Sequence, residues 1–153
     1  MAMSHMSLDQ RADFVENIIR YEFTNRGILY EALRSAGALA MTRQPHRSDG
    51  NKDLAQIGDA ALRLILVMDG YEARAGLINQ IVSSKGSNPH LAQMGFKVGL
   101  KSLILINPSQ PTMSPGVMAQ TVKAILGAVY LNSKMDVQAV RAVMAVLNLG
   151  WPV

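Results

Sequence analysis

The chain has 153 residues, 49% hydrophobic and 17% charged, which fits one globular domain and excludes a disordered chain or a coiled coil. It has no cysteine, so disulfides and thiolate metal sites are ruled out, and an intracellular protein of unspecified compartment is expected. The net charge of +4 comes from 15 Lys and Arg spread without a dense run, which is compatible with an ordinary solvated surface or with a nucleic-acid footprint.

The opening residues Met1 to Met6 carry neither a charged nor an apolar leader pattern and read as a cloning remnant, leaving residues 7–153 as a single domain. Ser7 and Gln10 have the spacing of a capping box, and Phe14, Val15, Ile18 and Ile19 predict a helix to about Arg20. Thr24-Asn25 is a second capping signal, before a helix with Ile28, Leu29, Ala32 and Leu33 on one face that ends near Gly37. Gln44 to Gly50 is rich in polar and turn residues and is expected to be a loop.

Asn51 to Met68 is the most apolar stretch, read as a buried central helix from about Lys52 to Asp69, capped by Asp49 or Asn51. Asp59 stands in its middle. A buried ionised carboxylate is costly without a cation, a metal or several donors beside it. Gly70 either ends this helix or is tolerated inside it. A short helix over Gly76 to Ser84 is expected to bury Leu77, Ile81 and Val82. Gly86-Ser87-Asn88-Pro89 is a break, with Ser87 or Asn88 capping the next helix and Pro89 at its first position.

Pro108, Pro111 and Pro115 mark Ser102 to Gly116 as a connection containing a short apolar piece, Leu103 to Ile106. Val117 to Leu131 is a second long apolar helix, broken only by Gln120, Thr121 and Lys123. Asp136 to Leu149 is amphipathic, with Val137, Val140, Val143, Met144 and Leu147 inward, and Trp151 is expected to cap the body. No strand is expected, since no segment shows sustained period-two alternation. No apolar run reaches the roughly 18 to 20 residues of a membrane span. The expected architecture is all-α, about seven helices with two buried central ones.

Gln120 and Lys123 are three apart and share a face, so they can converge with Asp59 if the two apolar helices pack together. Gly58 and Gly127 read as close-packing positions rather than phosphate-binding ones, and His46 and His90 as surface residues.

Leu54-Ala55-Gln56-Ile57-Gly58-Asp59-Ala60-Ala61-Leu62 resembles the signature helix of the ribonuclease III family, which reads approximately LEFLGDAVL. In the same order, Tyr21-Glu22-Phe23 to Ala32-Leu33 is similar to the family's early helix. Gly86-Ser87-Asn88 to Leu91-Ala92 with Val98-Gly99-Leu100 resembles its SNxxLA…LGL stretch, and Thr121 to Leu131 resembles its EALIGAVYLD helix. The ordered set covers about Tyr21 to Leu149. It implies a ribonuclease III-like endonuclease domain, a homodimer, double-stranded RNA as substrate, and Mg²⁺ held by carboxylates of the two central helices for two-metal phosphodiester hydrolysis.

On that resemblance the family's acidic positions fall on Lys52, Ala55, Asp59, Gln120 and Lys123, and only Asp59 is acidic. Asp53 is one residue out of register, a rotation of about 100° around the helix. Mg²⁺ needs hard, mostly anionic oxygen ligands, so no metal and no cofactor are expected, and Lys123 is expected to fill the vacated place and pair with Asp59. Gln56 and Ile57 fall on the dimer seam that the resemblance implies, where a glutamine weakens an apolar contact. The function implied is a ribonuclease III-like domain that has lost metal-dependent cleavage and serves as an RNA-binding, ribonucleoprotein or dimerisation module, with no double-stranded RNA-binding domain within these residues. The alternative is an active Mg²⁺-dependent endoribonuclease with a rearranged site. A third reading is a protein-interaction module with no RNA affinity.

Overall fold

The computed structural model describes residues 6–36, 50–74, 76–106 and 112–152. Seven α-helices occur among them: α1 Leu8–Ile19, α2 Arg26–Ala32, α3 Lys52–Glu72, α4 Ile78–Lys85, α5 Asn88–Lys97, α6 Pro115–Asn132 and α7 Val137–Val146. The expected loop over Gln44 to Asp49, with His46, lies outside the described residues, as does Gly37. The all-α expectation holds. The one β-type feature among the described residues is an isolated parallel bridge between Arg34 and Leu105.

Local chemistry accounts for most helix ends. Ser7 Oγ accepts from Gln10 N at 3.1 Å while Gln10 Oε1 accepts from Ser7 N at 2.9 Å, which is the predicted capping box. Asn25 caps α2, Ser87 caps α5, Ser114 caps α6 and Asp136 caps α7 through side-chain oxygens. Pro115, expected in the preceding loop, instead opens α6, where its missing N–H costs nothing and its fixed φ suits the helix. Arg26 locks α2 onto α1 through Glu16 at 2.8 Å and Asp13 at 2.6 Å. Hydrogen bonds that it donates to Glu16 and then to Asp13 raise its pKa further, so it stays charged.

The core forms around α6, which is buried on nearly every side and lies mainly against α3 and α5. Two glycines set the α3–α6 distance. A Cβ on Gly58 would fall on the backbone carbonyl of Lys123, and one on Gly127 on the carbonyl of Leu54. The expectation that these residues serve close packing is met.

Three sequence expectations need correction. The central helix α3 is not buried all round. Leu54, Ala55, Gly58, Ala61, Leu62, Ile65 and Leu66 face inward, but Ala60, Leu64, Val67 and Tyr71 form an exposed apolar stripe on the other side. Apolar composition alone does not tell a buried face from one left open. In α4 no side chain is fully buried; Leu77 precedes the helix and is exposed, and Ile81 and Val82 are half-buried, because this short helix lies on the outside of the body. Asn51 precedes α3 but its side chain does not cap it, being drawn into contacts with α2 and α6. Gly70 is inside α3, where a Cβ would strike the Trp151 ring, so the C-terminal tryptophan does pack on the body. No helix among the described residues is long and apolar enough to cross a membrane.

Candidate functional site

The three polar residues singled out on the apolar helices do converge. A cavity of about 390 Å³ is lined by Lys52, Ala55, Gln56 and Asp59 of α3, Asn88 of α5, and Gly116, Gln120 and Lys123 of α6. Helical geometry explains the grouping. Lys52, Ala55, Gln56 and Asp59 recur at three- and four-residue intervals on one side of α3, as do Gly116, Gln120 and Lys123 on α6. The Gly58 and Gly127 contacts hold these two faces beside each other.

Asp59 is half-buried rather than enclosed, with about a third of its side chain exposed (31%). Its two oxygens have different surroundings. Oδ2 accepts from Arg63 Nε at 3.1 Å, an i,i+4 pair in the favourable acid-first order. Oδ1 is enclosed, accepts no hydrogen bond, and faces Lys123 Nζ at 3.6 Å. The expected Lys123–Asp59 pairing is therefore present as a charge contact. The hydrogen bond from Lys123 Nζ goes instead to Asn88 Oδ1 at 2.9 Å. Asn88 and Arg63 were not foreseen as partners. The four-residue spacing of Asp59 and Arg63 is a signal that could have found the second; nothing local points from Lys123 to Asn88, 35 residues away.

Gln120 is tied into a buried amide network. Its Nε2 donates to Asn51 Oδ1 at 3.1 Å, and Asn51 Nδ2 donates to Ala32 O at 2.8 Å and Thr121 Oγ1 at 3.1 Å. This links the end of α2, the start of α3 and the middle of α6 behind the cavity. Ala55 contributes only a methyl group. Gln56 is exposed at the rim of the cavity, and Ile57 is half-buried. Asp53 is exposed and does not line the cavity. His90 is half-buried, with Nε2 3.1 Å from Asn148 O, and belongs to no group of three or more possible metal ligands among the described residues.

A ribonuclease III domain model matches residues 52–134, more than half of the chain. The chain belongs to the ribonuclease III domain family. Among curated proteins, this ribonuclease III domain is 30% identical over 131 residues to Ribonuclease 3 of Fusobacterium nucleatum, covering 80% of this chain and 55% of that protein. It is 27% identical over 130 residues to Ribonuclease 3 of Idiomarina loihiensis, covering 80% and 53%. The chain thus spans about half the length of the curated relatives it matches. The fold is also that of the ribonuclease III nuclease domain of Campylobacter jejuni, at a TM-score of 0.76 and 19% identity over 92% of this chain and 98% of the other.

The family implies a divalent metal at this place, and the donor set does not fit one. The cavity presents one carboxylate, three amides and two ammonium groups. No cluster of three or more acidic, histidine or cysteine side chains that could hold a metal occurs among the described residues. Mg²⁺ gives up its water only to concentrated negative charge, and the Lys123 ammonium opposes it.

Proposed function

We propose that this is a ribonuclease III domain that binds double-stranded or structured RNA without metal-dependent cleavage. The observation that carries the reading is the position of Lys123 Nζ, 3.6 Å from Asp59 Oδ1, which supports it because a cation beside the one retained carboxylate disfavours a metal ion there. Ala55 and Gln120 supply no charge to offset a second one. The net charge of +4 favours a polyanionic partner over a protein partner with no RNA affinity.

A homodimer is part of the proposal. The exposed stripe of Ala60, Leu64, Val67 and Tyr71 on α3, continuous with Gln56 and Ile57, supports pairing with a second copy. One of the Campylobacter jejuni nuclease-domain structures was described for flexibility in its region involved in dimer formation.

The second reading, an active Mg²⁺-dependent endoribonuclease, is favoured by the name Ribonuclease 3 that the curated relatives carry. The test is incubation of the chain with long double-stranded RNA in Mg²⁺ and in Mn²⁺. The same assay is run on the variant carrying Ala55→Glu, Gln120→Asp and Lys123→Glu together. No cleavage by the native chain with cleavage by the triple variant is the expected result. Metal-dependent cleavage by the native chain, abolished by Asp59→Ala, establishes the second reading instead.

A further inference from the structure

We propose that the cavity between α3, α5 and α6 binds a phosphate oxyanion directly on Lys123 and Lys52, with no metal ion between protein and phosphate. The inference rests on the RNA-binding reading and names the chemistry of its contact.

Charge is the first argument. Of the ionisable groups lining the cavity, Lys52 and Lys123 are cationic and Asp59 is anionic. Arg63 holds Asp59 from outside the cavity at 3.1 Å, so the carboxylate is already matched and the ammonium groups are in excess. Donor geometry is the second. Lys123 is four-fifths buried and its Nζ is fixed by Asn88 Oδ1 at 2.9 Å. One of its three hydrogens is used there, and the 3.6 Å contact with Asp59 is beyond hydrogen-bond reach, which leaves donors for a further acceptor. The Asn88 amide that accepts from Lys123 has its NH₂ group unengaged among the described residues and lies at the same cavity wall.

A fixed ammonium costs less to order on binding than a free surface lysine, because its rotamer is already set. The cavity, about 390 Å³, is within the size range of small-ligand clefts and admits a phosphate together with part of its sugar. Lys52, Asn88 and Gly116 also belong to the first turns of α3, α5 and α6, whose partial positive ends add to the same field. A site built for metal-bridged phosphate would bind through the ion; this one offers the phosphate its own cations. The phosphate could belong to an RNA backbone or to a free phosphate ligand, and the chemistry at Lys123 is common to both.

The experiment uses the full chain and two probes, a short RNA duplex and inorganic phosphate. Duplex affinity is measured against salt, in Mg²⁺ and in EDTA, for the native chain, Lys123→Gln, Lys52→Gln and, as an outside control, Lys97→Gln on α5. Affinity equal in Mg²⁺ and EDTA is expected, with a loss of about tenfold for Lys123→Gln. Lys52→Gln is expected to make the salt slope shallower by about one. Lys52 is exposed, so that variant tests the site even if Lys123→Gln folds poorly. Binding that collapses in EDTA, or an equal loss for Lys97→Gln, overturns the proposal.

Chemical shifts of Asn88 and Lys123 separate the sources: changes with the duplex alone assign the site to RNA backbone, and changes with phosphate alone assign it to a free ligand. No change with either overturns it. Cleavage products in the same tubes would sink the non-cleaving reading while leaving the oxyanion site to be judged on its own chelator and lysine dependence.

Discussion

Helices α3 and α6 meet in two ways within a few residues of each other. At Gly58 and Gly127 their backbones touch, with no room for a methyl group on either side. Beside that contact, the side chains of Ala55, Asp59, Gln120 and Lys123 from the same two helices line a polar cavity. The first region is fixed by backbone sterics and accepts no substitution without movement. The second is a set of side chains projecting into open space, and their chemistry can change without disturbing the frame. That contrast explains how a ribonuclease III domain can keep its fold while side chains as different as a methyl, an amide and two ammonium groups line the cavity between its central helices.

Gly127→Ala is the strongest way to break the comparison. In an open helix, alanine for glycine stabilises by about 1 kcal/mol. Here the added methyl meets the Leu54 carbonyl, and α3 and α6 must separate along a shared buried surface. A net loss on the order of 3 kcal/mol is expected in urea unfolding, with a correspondingly lower midpoint. An unchanged or higher midpoint would mean that the two backbones are not in contact.

Asn51→Ala probes the boundary between the two regions. Asn51 is fully enclosed and serves Ala32, Thr121 and Gln120 at once, so truncation strands a carbonyl and an amide behind the cavity. The expected cost is about 1 to 3 kcal/mol, below that of the glycine change. Calorimetric melting of the variant checks it, and a cost near zero would show that water replaces the network freely.

The same contrast governs what could be read from the sequence. Helix starts at Ser7, Asn25 and Ser87 were legible because a cap is chemistry within three residues. The meeting of Asp59, Gln120 and Lys123 was legible from helical spacing, once the two apolar helices were taken to pack together. The exposed side of α3 was not, because Leu64, Val67 and Tyr71 have the composition of a core face and only the neighbours decide which side is covered. The partners of Asn51 and Lys123 were also hidden, since Thr121 and Asn88 are distant in sequence and reach them only after α6 and α5 have docked.

Asp59→Asn is expected to have the smallest effect on stability, and its smallness sharpens the distinction. Its ion pair with Arg63 lies between partly exposed side chains, 31% and 49% open, where an i,i+4 pair contributes about 0.5 kcal/mol or less. The contact with Lys123 is at 3.6 Å and is not a hydrogen bond, so its loss adds little. The amide keeps the shape and an acceptor for Arg63. A fall in melting temperature of about 1 to 2 °C follows for a domain of this size. Mg²⁺ is expected to leave the melting temperature of both native chain and variant unchanged, because only an ion bound more tightly by the folded state raises it and the Lys123 ammonium opposes one here. A Mg²⁺-dependent rise in the native chain that disappears in Asp59→Asn would instead show that this one carboxylate still anchors an ion. The cavity would then be a metal site that tolerates Lys123 rather than one that Lys123 has replaced.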